Sequence, residues 1–150
     1  MKKINSFRDE YHFLSNFYEV DVTYNGITYG SSEAAFQAQK TADEELRKKF
    51  AKLSPRQAKR EGLKVDLVPY WDVNKFHIMQ EICFAKFTQN EDLKQKLLAT
   101  GDTLLEEGNT WGDRIWGTVN GKGQNCLGKI LMEIRDEIRN SELIRGVTYD

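Results

Sequence analysis

The chain has 150 residues, 39% hydrophobic and 30% charged, with 22 basic against 23 acidic side chains and a net charge of −1. That length suffices for one domain with a core of its own, and the composition excludes wholesale disorder. The near-neutral balance argues against a general nucleic-acid binder, whose domain is usually basic, while leaving room for a local basic patch. Two cysteines, Cys83 and Cys126, are too few for a disulfide scaffold and form no CxxC pair. The first ten residues turn acidic before an apolar run can form, so no signal peptide is expected. No apolar run approaches the roughly 20 residues of a membrane span. The expectation is a cytoplasmic protein without membrane attachment, a single domain over 1–150 with its core at about 7–140.

Val20 to Tyr24 and Ile27 to Tyr29 flank Asn25-Gly26, the strongest short-range hairpin signal, because both turn positions favour positive φ. Ser31-Ser32-Glu33 opens a helix expected to reach about Lys40. Thr41 and Glu44 suggest a capping box for a helix at about 42–52. Ser54, Pro55 and Gln57 start another, stopped by Gly62. Trp71 to Phe87 reads as a long helix with Val73, Phe76, Met79 or Gln80, Cys83 and Phe87 on its apolar side. Asn90 caps a short helix carrying Leu93, Leu97 and Leu98 and ended by Gly101, and Thr103 to Glu106 suggests a short strand. Leu127, Ile130, Leu131, Ile134 and Ile138 mark a final amphipathic helix, with a short tail expected after about Ser141. Between them, Gly108 to Gly128 holds six of the eleven glycines, and a glycine-rich loop of that length inside a small domain is often functional.

Three segments could carry chemistry. On the helix from Ser32, the residues Glu33, Phe36, Gln37 and Lys40 share an arc of roughly 100°, with Ala34, Ala35 and Ala38 on the other side. A half-buried carboxylate and ammonium need partners or a function, although the two also suit the ends of a helix dipole. Their spacing of seven residues sets Glu33 and Lys40 about 10 Å apart along the axis, beyond direct contact unless the helix bends. Trp111-Gly112-Asp113 joins a stacking face, a residue that admits close approach, and a carboxylate, or else is a packed tryptophan beside a turn aspartate. Phe13 to Tyr18 is either an arm packed on the core or part of a site. Elsewhere, His12 and His77 lack zinc-site spacing with the cysteines, and GxSxG, GxxxxGK[ST] and GxGxxG are absent. From Lys40 to Lys64, nine basic residues outnumber four acidic ones, a solvated face that could also attract a phosphorylated substrate.

These motifs, in order, are Phe13-Leu14-Ser15-Asn16-Phe17, Ser32-Glu33-x-x-Phe36-Gln37-Ala38-x-Lys40, Ala58-Lys59-x-x-Gly62, Ala85-Lys86-Phe87, Trp111-Gly112-Asp113 and Gly123-x-Asn125-x-Leu127-Gly128-x-x-Leu131-Met132. The set, from about Phe7 to Arg139, resembles the YbiA-like, or NADAR, family. The resemblance implies an α+β, mostly helical single domain with a small β-hairpin or sheet. It implies an N-glycosidase acting on phosphorylated ribosylamine intermediates of riboflavin biosynthesis. Other members remove ADP-ribose, including from guanine bases, so nucleic acid enters only as a modified substrate. Neither branch implies a cofactor or a metal. The resemblance makes Glu33, Asp113 and Lys40 the candidate catalytic residues. Asn16, Phe17, Gln37, Arg60, Trp71, Trp111, Gly112 and Asn125 are the candidate binding residues. On this reading Glu33 stabilises C1 and orients water, and Asp113 holds ribose hydroxyls or serves as the second acid or base. Lys40 binds phosphate, donates a proton or forms a transient imine. The chain departs from the family where Leu63 follows Gly62 in place of an arginine, whose duty would fall to Arg60 or Lys64. It departs again where Asn109 stands for an aspartate ahead of the tryptophan. A monomer or weak dimer is expected. The competing expectations are a non-catalytic nucleotide-binding module and a structural protein.

Overall fold

The computed structural model describes residues 2–149, with side chains through Arg145. Asn25 and Gly26 both take positive φ, 50° and 81°, and join β2 (Glu19–Tyr24) to β3 (Ile27–Ser31) as the expected antiparallel hairpin. Val22 pairs with Tyr29, and both are buried beneath the hairpin. An unexpected strand, β1 (Lys3–Ile4), pairs in parallel with β4 (Leu104–Leu105), Lys3 opposite Leu104 and Ile4 opposite Leu105. A 3-10 turn (Asp9–Leu14) then buries Phe13 and Leu14.

Ser31 ends β3 and caps α1 (Ser32–Ala38), accepting from the Ala34 N–H at 3.0 Å. α1 is short and central, packing against the helices Pro55–Gly62 and Trp71–Gln89 and the hairpin, with its three alanines fully buried. Small side chains let neighbours close in on both sides. The helix stops at Ala38, two residues before the expected end, and Lys40 sits in the turn that follows. α2 (Glu44–Phe50) is capped by Asp43 rather than by Thr41. The Asp43 carboxylate accepts from the N–H groups of Glu45 and Leu46, whereas Thr41 Oγ1 accepts from Asp43 itself. An aspartate one residue from the first turn has the shorter reach and adds charge favourable to the dipole. α3 (Pro55–Gly62) carries the expected reciprocal box of Ser54 and Gln57.

α4 (Trp71–Gln89) buries Trp71, Met79, Ile82, Cys83, Lys86 and Phe87. Met79, Cys83 and Phe87 of the expected apolar side are buried, whereas Phe76 is half-buried and Val73 is exposed. α5 (Glu91–Ala99) and α6 (Cys126–Tyr149) cover the opposite side. α6 buries the five stripe residues Leu127, Ile130, Leu131, Ile134 and Ile138 and runs on through the expected tail. Gly108 to Asn125 is held by short bridges, Gly108 with Thr118 and Val119 with Lys122, and by backbone bonds from residues 124–127 back to 114–117. The result is an α+β fold, mostly helical, with two two-stranded sheets. None of the described helices is long and apolar enough to cross a membrane.

Candidate functional site

A cleft of about 530 Å³ opens between α1, α3, the start of α4, the Ser15–Phe17 loop and the glycine-rich segment. Its charged lining comprises Glu33, Glu107 and Asp113 with Lys40, Lys59, Lys75 and Arg8. Its floor is aromatic. Phe36 meets Trp71 at 5.1 Å and Trp116 edge-on at 5.4 Å between ring centroids. Trp71 is only 6% exposed, whereas Trp111 at the rim is 57% exposed and has a face free for stacking. Lys59 lies 5.8 Å from the ring centroids of both Phe17 and Trp111 and links the two rims.

Glu33 enters from the first turn of α1. Asn16 sets that turn: its carbonyl accepts the Glu33 N–H at 3.0 Å, and its Oδ1 accepts the Ser32 hydroxyl at 2.9 Å. Burial pushes the Glu33 carboxyl above the usual carboxylate range. The amide of Gln37, which donates to Oε2 at 2.7 Å, and the charges of Lys59 and Lys40 pull it back, while Asp113 adds to the push. Gln37 is itself fixed by Gly62. A Cβ at residue 62 would lie 1.9 Å from Gln37 Oε1, which is buried without a partner. Burial lowers the Lys40 ammonium, opposed by Glu33 and reinforced by Lys75. Among the described ion pairs none joins Glu33 to Lys40.

Asp113 Oδ1 accepts the N–H groups of Ile115 and Trp116 at 3.0 and 2.9 Å, so this turn aspartate also presents its carboxylate to the cleft. Asn109 braces the loop, accepting the Asp113 N–H at 3.0 Å and donating to its carbonyl at 2.8 Å. Glu107 completes the acidic group. Burial, then the negative charges of Asp113 and Glu33, push its carboxyl up to about 8, with Lys59 opposing them. Among the described residues no group of three or more His, Cys, Asp or Glu is arranged to hold a metal ion.

The model of the NADAR domain matches residues 4–139, which contain every wall of this cleft. The chain belongs to the NADAR family. It is 39% identical over 134 residues to the N-glycosidase YbiA of Shigella boydii, an alignment covering 87% of this chain and 83% of that one. It is 38% identical over 137 residues to a riboflavin biosynthesis protein of Vibrio vulnificus, covering 87% of this chain but 37% of that longer protein. The NMR structure of the Escherichia coli protein YbiA superposes with a TM-score of 0.84 at 37% identity, covering 95% of this chain and 88% of that one.

Set on this NADAR fold, Glu33, Lys40, Asp113, Asn16, Phe17, Gln37, Trp71 and Trp111 all line the cleft. Three of the expected residues do not. Arg60 points elsewhere because Lys59 and Leu63, four apart, share the face of α3 that borders the cleft, and Arg60 and Lys64 are rotated off it. Leu63 stands 81% exposed at the rim, and the cations beside it are lysines from α3, α4 and the turn after α1. Asn125 spends its side chain on backbone, donating to the Leu105 carbonyl at 2.9 Å and accepting the Glu107 N–H at 3.0 Å. Gly112 serves a turn, with φ of 87° and open space where a Cβ would stand. Reading the sequence missed Lys59, Lys75, Trp116 and Glu107. Period-two alternation from buried Leu105 would have pointed Glu107 inward.

Proposed function

We propose that this NADAR chain is an N-glycosidase that hydrolyses the bond between C1 of a phosphorylated ribose and an amine nitrogen. The substrate class is the ribosylamine phosphate of early riboflavin synthesis, in keeping with the N-glycosidase and riboflavin names of its relatives. The observation that carries the reading is the single cleft in which acidic groups, lysines and an exposed tryptophan face one another.

Breaking an N-ribosyl bond builds positive charge at C1 and negative charge on the departing nitrogen. A carboxylate beside C1 answers the first need. Glu33 takes that role and orients the attacking water, with Gln37 and two lysines opposing the burial that disfavours its anion. Asp113, locked by its own turn, anchors ribose hydroxyls. Lys40, Lys59 and Lys75 form the cationic side for phosphate. Trp111 stacks on the base at the rim. The test incubates purified protein with the ribosylaminopyrimidine phosphate and, separately, with ADP-ribosylated guanosine, following products by mass spectrometry. Release of the amine from the first is expected, with Glu33→Gln slower by roughly 10²- to 10⁴-fold and still folded. Release of ADP-ribose from the second alone would reassign the substrate. Tight binding with no product from either would make the cleft a binding site rather than a catalytic one.

A further inference from the structure

Glu107 has no part in the roles above, yet it is closely held at the wall of the cleft. Its Oε2 is buried with no hydrogen-bond partner. Its backbone cannot drift: the N–H is held by Asn125 Oδ1 at 3.0 Å, and the carbonyl accepts the Thr118 N–H at 2.9 Å. Gly117 packs on it so closely that a Cβ there would lie 2.1 Å from the Glu107 carbonyl and 3.0 Å from Oε2. The neighbouring Glu106 is treated oppositely, paired with Lys3 at 3.2 Å and bonded by the Thr118 hydroxyl. One glutamate of the pair is spent on the fold and the other is delivered, unpartnered, to the cleft.

We propose that Glu107 is the general acid that protonates the departing nitrogen, an inference that rests on the N-glycosidase reading. An amine leaves C1 poorly as an anion. As the C1–N bond breaks, its electron pair passes to nitrogen and takes the proton of the Glu107 carboxyl, leaving Glu107 as carboxylate. Water adds its oxygen to C1 and gives a proton to the Glu33 carboxylate. Return of that proton to Glu107 restores the site, so that ribosylamine and water become amine and ribose phosphate. The charged groups around Glu107 suit an acid that stays protonated. Glu33 from α1 and Asp113 from the glycine-rich segment disfavour its anion, and Lys59 from α3 is the opposing cation. Cys83 from α4 remains a neutral thiol, pushed up to about 12 by burial. Burial first, and the charges of Asp113 and Glu33 after it, push the Glu107 carboxyl up to about 8.

The test compares the full-length protein and Glu107→Gln on two substrates. One is the ribosylaminopyrimidine phosphate. The other is 4-nitrophenyl ribofuranoside 5-phosphate, whose phenolate leaves without a proton. Glu107→Gln is expected to lose roughly 10²- to 10⁴-fold on the amine substrate and less than about 3-fold on the nitrophenyl one. The wild-type rate on the amine should also fall as pH rises through about 8, a limb the variant lacks. Equal losses on both substrates, or none on the amine, overturn the assignment while leaving the N-glycosidase reading intact. A wild type that cleaves neither overturns the reading, and this assignment with it. Infrared spectra supply a readout independent of turnover. A protonated-carboxyl band that titrates near pH 8 and vanishes in Glu107→Gln is expected, and its absence from the wild type also overturns the proposal.

Discussion

Two of the places where this molecule buries polar side chains are furnished differently. At the junction of α5 and α6, Arg135 donates from Nη1 to Thr100 Oγ1 at 2.9 Å and to the Thr103 carbonyl at 2.8 Å, while its Nε is buried without a partner. Arg139 beside it reaches the Gly101 carbonyl at 2.6 Å and Asp102 at 3.0 Å. These arginines close the loop between α5 and β4 onto α6. In the cleft, by contrast, Glu107 Oε2 and Gln37 Oε1 are left without partners, and Glu33 carries a raised carboxyl steadied by one amide. Buried polar groups normally find partners because leaving them bare costs free energy. The junction spends its hydrogen bonds on holding the chain together. The cleft leaves its own incomplete, which is what a site must do if a substrate is to complete it.

The sharpest way to break that contrast is Gly62→Ala. The added methyl group would displace Gln37 from Glu33. A misplacement of about 1 Å can cost on the order of 100-fold in rate, and overpacking costs about 1–3 kcal/mol of stability. Steady-state kinetics beside a thermal melt checks both, and an unchanged kcat would show that Gln37 does not orient Glu33. The complementary change, Arg135→Met, should cost about 1–3 kcal/mol in urea unfolding and leave kcat per folded molecule unaltered. A fall in kcat there would mean that junction and cleft are coupled. The smallest effect is on the pH dependence of stability. Glu107 is raised to about 8 when folded, so the folded chain holds a proton that the unfolded chain has released. Stability therefore falls as pH rises from the ordinary glutamate range toward 8, and Glu33 adds to that slope with the same sign. Glu107→Gln should make the slope shallower, by on the order of 1 kcal/mol between about pH 6 and 8.

What the sequence disclosed was what local chemistry encodes. Asn25-Gly26, Ser54-Pro55-Gln57 and the Leu127 to Ile138 stripe each carry their instruction within a few residues. The β1–β4 pairing was invisible, because two residues of each strand meet across about a hundred residues of chain and β1, unlike the expected strand at Thr103 to Glu106, has no pattern of its own. The candidate site divides in the same way. Glu33 stood out because helical spacing set it beside Gln37. Glu107 was hidden beside Glu106, since a pair of adjacent glutamates reads as solvent-facing until the partners of one are known. Arg60 was expected to stand in for the family arginine absent at Leu63, and the phase of α3 brings Lys59 to the cleft instead.

The pairing of Lys3 with Leu104 also bears on how the protein is made. In a chain emerging from the ribosome, β1 precedes its parallel partner, which follows only after α1 to α5 have been synthesised. The acidic wall of the cleft comes later still, since Glu107 depends on Asn125 and Thr118. The helices can fold as they appear, because their contacts are local, whereas the long-range closure comes last. The cleft is therefore completed late in synthesis, and a nascent chain stalled before residue 125 would hold Glu33 with Glu107 not yet fixed.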